Sequence, residues 1–172
     1  LQRDGDVVGV DGVSNLNFSA SADAYYVAIN HRSHLGIMSL NASNLSSTVT
    51  TVNFKDANSQ ITYGTDAQTT FGIASGLVAM WSRDVNGDNI IQYSGTSSDT
   101  PSLLTEVLND PGNFLNLTTY KINGYSNYDV DMNGETQYSG SSSDTPFILQ
   151  NILAHPGNFL NFNTYIINAQ MP

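Results

Sequence analysis

Cysteine is absent from this 172-residue chain. That excludes disulfide staples, zinc–thiolate centres and cysteine nucleophiles. Charge is scarce as well: Asp, Glu, Lys and Arg make up 12% of the residues, against a usual share of about a quarter. Within that small set, cations are the rarer sign, 5 Lys and Arg against 15 Asp and Glu, for a net charge of −10. A chain so short of cations repels phosphate backbones and anionic bilayers, so nucleic acid and membrane insertion are not expected. No run approaches the roughly 18 apolar residues of a spanning helix. Three histidines, no cysteine and no nucleophile elbow leave little for catalysis, and the expectation is a protein that is not an enzyme.

Asn, Ser, Thr and Gly carry the polarity instead, a balance that fits β-rich secreted and surface proteins. The chain opens at Leu1-Gln-Arg-Asp-Gly-Asp6 with neither an initiator Met nor a secretory signal, and reads as a fragment of a longer precursor. Residues 1–81 are β-like. Short alternating or β-rich runs lie at Asp6–Val10, Leu16–Ser19, Tyr25–Asn30, Val49–Phe54, Gln60–Tyr63 and Gly76–Trp81. Turn residues separate them, including Asp11-Gly12, Asp56-Ala-Asn58 and Gly64-Thr-Asp66. Five to seven such strands predict an antiparallel, immunoglobulin-like β-sandwich that lacks its first strand. A sandwich cut there exposes an edge, which invites strand addition from a copy of the chain and hence a filament.

Residues 82–172 hold a repeat. The stretch from Asp84 to Tyr120 recurs ungapped from Asp129 to Tyr165, 45 residues later, with 21 of 37 positions identical. Each copy opens on a cluster of short oxygen-bearing side chains, Asp84-Val-Asn-Gly-Asp88 and Asp129-Val-Asp-Met-Asn133. Each continues into a short helix. Thr100-Pro101 and Thr145-Pro146 read as N-cap and first helical residue. Leu103, Leu104, Val107 and Leu108, and likewise Ile148, Leu149, Ile152 and Leu153, place apolar residues on one helical face. Asp110-Pro-Gly-Asn113 and His155-Pro-Gly-Asn158 stop the helices, with His155 as a C-terminal cap, and Phe114-Leu115 and Phe159-Leu160 are expected to return to the core.

Alternate Asp and Asn on a tight turn suit a hard cation. Ca²⁺ takes six to eight oxygens, and a 12-residue loop supplies them from positions 1, 3, 5, the carbonyl of 7, 9 and a carboxylate at 12. In the first copy these positions are Asp84, Asn86, Asp88, the Ile90 carbonyl and Gln92; in the second, Asp129, Asp131, Asn133, the Glu135 carbonyl and Gln137. Position 12 is Gly95 or Gly140, which has no carboxylate, and the next acid is Asp99 or Asp144 at the helix start. The expectation is two Ca²⁺ sites closed by these late acids across a bulge. The competing reading has both Asp residues only capping their helices.

The segment Asp84-Val-Asn-Gly-Asp-Asn-Ile-Ile, with Leu104 and Leu108 on the helix that follows, resembles a type I dockerin-like, EF-hand-like calcium repeat. Together with Gln92-Tyr-Ser-Gly95, Asp99-Thr-Pro101, Asp110-Pro-Gly-Asn-Phe-Leu-Asn116 and His31-Arg-Ser-His-Leu-Gly36, the chain is similar to C-terminal modules of large secreted proteins of Bacteroidota. The resemblance implies an extracellular or cell-surface location reached by type 9 secretion. About activity the resemblance implies little; the paired acidic loops give the expectation of a non-catalytic, calcium-stabilised structural or adhesive role, as an anchoring or filament subunit. It does not carry cohesin binding, because the insert before each helix departs from the dockerin pattern. The alternative is a carbohydrate-binding module for a surface polysaccharide, with Tyr93, Tyr125, Tyr128, Tyr138 and Trp81 as stacking candidates.

Overall fold

The β-rich runs of the first half contain few consecutive apolar residues, and their strands are correspondingly short. The computed structural model describes residues 6–58 and 61–172; Leu1–Gly5 of the opening segment, and Gln60 of one expected strand, lie outside the described residues. The architecture is mainly small antiparallel strands with two short helices. The strands are β1 (Asp23–Tyr25), β2 (Ala28–Ile29), β3 (Ile37–Met38), β4 (Ser43–Leu45), β5 (Gln68–Thr69) and β6 (Ala79–Met80). The repeats add β7 (Ile90–Gln92), α1 (Thr100–Asn109), β8 (Ile122–Asn123), β9 (Glu135–Thr136), α2 (Thr145–Ala154) and β10 (Ile166–Asn168).

Every strand among the described residues belongs to a two-stranded antiparallel pair: β1–β4, β2–β3, β5–β6, β7–β10 and β8–β9. The two stacked sheets of an immunoglobulin-like sandwich are not formed among them. The expected strands at Asp6–Val10, Leu16–Ser19 and Val49–Phe54 are irregular. The physical reason is burial. A sandwich strand needs every second residue covered, yet Val10, Val13, Phe18 and Val49 all face solvent.

One apolar core gathers residues from both sides of position 81. Leu35 and Trp81 meet Val85, Ile91, Leu103, Val130, Ile148, Ile152 and Ile167. Burying each large side chain contributes about 1.5–3 kcal/mol. The helical spacing read from sequence holds for Leu103 with Val107 and Ile148 with Ile152, four residues apart and all buried. Each helix begins one residue before the expected boundary: Thr100 and Thr145 are helical, and Asp99 and Asp144 stand at the N-cap.

The two repeats exchange strands. The strand after the second helix, β10, pairs with β7 of the first loop, Ile167 opposite Ile91. The strand after the first helix, β8, pairs with β9 of the second loop, Ile122 opposite Thr136. Moving each partner to the matching position of the other repeat, 91 to 136 and 167 to 122, turns the first pairing into the second. The same reciprocity joins side chains: Gln92 Nε2 donates to the Thr164 carbonyl at 3.0 Å, and Gln137 Nε2 to the Thr119 carbonyl at 2.6 Å.

Beyond each helix, Asn113 and Asn158 are buried and occupied by matching hydrogen bonds. Asn158 Nδ2 donates to the carbonyls of Ile152 (2.8 Å) and Phe162 (2.9 Å), and its Oδ1 accepts from the Phe162 amide (2.9 Å). Asn113 does the same with Val107 and Leu117. Replacing Asn158 by Ala is expected to cost about 2–3 kcal/mol, since three bonds are lost and buried backbone groups are stranded; chemical denaturation measures it, and a cost under about 0.5 kcal/mol refutes the role. These asparagines also correct an expectation. Phe114 and Phe159 do not return to the core but are 83% and 81% exposed, with Leu115 and Leu160 beside them. The anchored turn, completed by left-handed Asn116 and Asn161 (φ 52° and 56°), carries them outward.

Candidate metal centre

Each loop is organised by one buried aspartate that collects amides. Asp84 Oδ1 accepts from the amides of Gly87 (2.8 Å) and Asp88 (3.1 Å), and Oδ2 from Asn89 (3.0 Å). Asp129 accepts from Asn133 and Gly134, both at 3.0 Å. Such tight turns need left-handed residues, which the loops supply at Asn89 (φ 65°) and Gly134 (φ 87°). Asn86, Asp88, Asp131 and Asn133 line the turn and bond to one another or to amides two residues on, as Asp88 does with Ile90 (2.9 Å). The carbonyl-bearing positions Ile90 and Glu135 begin β7 and β9. The Glu135 carboxylate itself pairs with Lys121 Nζ at 2.6 Å.

The late acids reach back into the loops. Asp99 Oδ1 accepts from the amides of Val85 (2.7 Å) and Asn86 (3.4 Å), and Oδ2 from Gln92 (2.9 Å). Asp144 repeats this with Val130 (2.7 Å), Asp131 (3.4 Å) and Gln137 (2.8 Å). Neither makes a side-chain bond to its own helix, so the capping reading does not hold. Both carboxyls are completely buried. Burial pushes the Asp99 carboxyl up to about 7 and that of Asp144 up to about 6, against the opposing pull of the three amides. Asp84 and Asp129 are raised in the same way.

In the second copy the result is a compact acid cluster. Oxygens of Asp129, Asp131 and Asp144 all lie within 4.8 Å of one another, a group able to hold a metal ion. Carboxylate oxygens are the donors that hard divalent cations select. In the first copy Asn86 stands where Asp131 does, so that cluster has an amide in place of one acid, while Asp84 still lies within electrostatic reach of Asp99.

Gln92 and Gln137 have another occupation. Besides bridging the repeats, Gln92 Oε1 accepts from the Ser97 amide and Gln137 Oε1 from Ser142, both at 2.9 Å. This accounts for glycine at position 12. Gly95 (φ 140°) and Gly140 (φ 127°) sit against these amides, and a Cβ at Gly95 would lie 2.5 Å from Gln92 Nε2.

Sequence reasoning missed Arg83. Its backbone is left-handed (φ 92°), its guanidinium hydrogen-bonds Asn151 Oδ1 and it lies 5.5 Å from the centre of the Phe147 ring. Burial pushes its pKa down to about 10, with Asp131 acting the other way. Arg32 likewise bears on Asp129. The repeat comparison held no signal for either contact, because Tyr128 and Glu106 occupy the positions matching Arg83 and Asn151.

His31 and His34 bring their Nδ1 atoms to 3.0 Å, and burial pushes His34 down to about 4. His155 accepts the Gly157 amide at 3.0 Å, as Asp110 accepts that of Gly112 at 2.8 Å. Trp81 is buried in the core, and Tyr93, Tyr128 and Tyr138 pack against it; of the expected stacking residues only Tyr125 is well exposed, with the Arg32 guanidinium 5.9 Å from its ring centre. No helix of the described residues is long and apolar enough to cross a membrane. No protein-family model, curated protein or solved structure matches the chain.

Proposed function

We propose that the chain is a non-catalytic, calcium-stabilised structural or adhesive module of an exported cell-surface protein. Two Ca²⁺ loops stabilise it. Asp84, Asn86, Asp88 and Asp99 with the Ile90 carbonyl serve the first; Asp129, Asp131, Asn133 and Asp144 with the Glu135 carbonyl serve the second. The observation that carries the reading is the gathering of Asp129, Asp131 and Asp144 within 4.8 Å, two of them buried. Like charges brought that close repel unless a cation or protons compensate them. The likeness to dockerin-like repeats of secreted Bacteroidota modules supports calcium as the cation and the cell surface as the location. Millimolar extracellular calcium suits loops of modest affinity.

The test is a thermal melt of the chain in chelator and in added Ca²⁺, beside an Asp84→Ala/Asp129→Ala variant. Calcium at about a hundredfold excess over Kd is expected to add roughly 2–3 kcal/mol. For a chain of this size that raises Tm by about 5–10 °C. The variant is expected to lose most of that gain. A parent chain with the same Tm in chelator and calcium overturns the proposal.

A further inference from the structure

A cavity of about 610 Å³ opens away from both acidic loops, between the turn that follows β5 and the C-terminal end of α2. Asp66, Thr70, Phe71, Trp81, Gln150 and Leu153 are among the residues that line it. Its size falls within the roughly 300–1,000 Å³ of small-molecule clefts, and such clefts pair an apolar lining with a few convergent polar groups. One wall is anchored through Trp81. The Trp81 indole N–H donates to the Asp66 carbonyl at 2.7 Å, and the Trp81 ring stacks at 5.1 Å on His155, itself 5.1 Å from Tyr165. Asp66 is held in a left-handed conformation (φ 55°) beside that anchor.

The polar groups divide in two. Gln68 is engaged internally, donating to the Phe54 carbonyl at 2.6 Å, and Thr69 Oγ1 accepts the Phe71 amide at 2.9 Å. Among the described residues the Asp66 carboxylate and the Gln150 carboxamide make no hydrogen bond. They present paired acceptors and a donor–acceptor pair, with the Thr70 hydroxyl nearby and the half-exposed Phe71 ring as an apolar face. Among the described residues no Lys or Arg lines the cavity. We infer that this cleft binds a neutral oligosaccharide, with a pyranose C–H face on Phe71 and its hydroxyls on Asp66, Gln150 and Thr70. An anionic sugar would meet the Asp66 carboxylate, whose electrostatic partner is the His155 imidazole, on a chain of net charge −10. A wholly apolar ligand would take Asp66 and Gln150 out of water without partners.

Trp81 is the chain's one tryptophan, so its emission reports on the cavity wall. The experiment titrates the chain with cellotriose, maltotriose and mannotriose, and with trigalacturonate as the acidic counterpart, in chelator and in calcium. At least one neutral trisaccharide is expected to give a saturable change with Kd at or below about 1 mM. Phe71→Ala and Gln150→Ala are each expected to weaken it at least tenfold while leaving the calcium-dependent melt unchanged. No saturable change with any neutral trisaccharide overturns the inference, as does tighter binding of trigalacturonate or unaltered affinity in both variants. The calcium reading is untouched by any of these results, because neither side chain belongs to a loop.

Discussion

Replacing Asp99 by Ala is expected to destabilise the chain by about 3 kcal/mol or more, even in chelator, and Asp144→Ala by a similar amount. The carboxylate of Asp99 is completely buried and takes the amides of Val85, Asn86 and Gln92. Its removal leaves two well-formed bonds and one long one without an acceptor, and each stranded buried donor costs about 1–3 kcal/mol. The loss also unfastens both ends of one acidic loop at once, since Val85 lies at its start and Gln92 near its end. Urea denaturation of the parent and both variants in chelator measures the effect. A cost below about 1 kcal/mol would show that the carboxylates do not organise the loops and that the turns stand by their local bonds alone.

The same carboxyls tie stability to pH. A carboxyl whose folded pKa lies above its unfolded value binds more protons folded than unfolded. Its stabilising contribution is complete below about pH 4 and is lost as pH rises through the folded value, about 7 for Asp99 and about 6 for Asp144. The histidines oppose this. Burial depresses His34 to about 4 and lowers His31 and His155, so their contribution grows as pH rises towards 6.5. The useful readout is therefore the difference between the chain and Asp99→Asn, in which the histidines cancel. Between pH 6 and 8 in chelator the parent is expected to lose about 1–2 kcal/mol relative to the variant. Saturating Ca²⁺ is expected to abolish the difference, because a cation against the carboxylate lowers its pKa out of that window. If the Asp99 carboxyl, followed by carbon NMR, still titrates near 7 in calcium, it is not a ligand.

The site was more legible in the sequence than the first half of the fold. Asp84, Asp88, Asp129 and Asp131 announce themselves because a turn of alternate Asp and Asn is local, and two copies in register remove the ambiguity of one. The late acids Asp99 and Asp144 are legible for the same reason, as the next carboxylates at matching places. Gln92 and Gln137 were assigned by position in a loop, and position says nothing of the carbonyls of Thr164 and Thr119 that occupy their amides from 72 and 18 residues away. Phe114 was expected inside because it is large and apolar; its exposure follows from three hydrogen bonds of Asn113, which hydropathy does not register. In the first half, strand-like composition is present at Val49–Phe54, but among the described residues no strand pairs with it, and pairing is a property of the whole chain rather than of the run.

The exchanged strands make each repeat incomplete without the other. A single repeat standing alone would leave its loop strand and its exit strand each without a mate. Two identical single repeats would complete both by a twofold rotation, each lending the other its exit strand, which is the self-complementary geometry of a C2 pair. The present chain has the arrangement of such a pair within one polypeptide. One chain can do what a strict homodimer cannot, and differ between its halves: Arg83 and Asn151 hold one side, with Tyr128 and Glu106 in their places on the other.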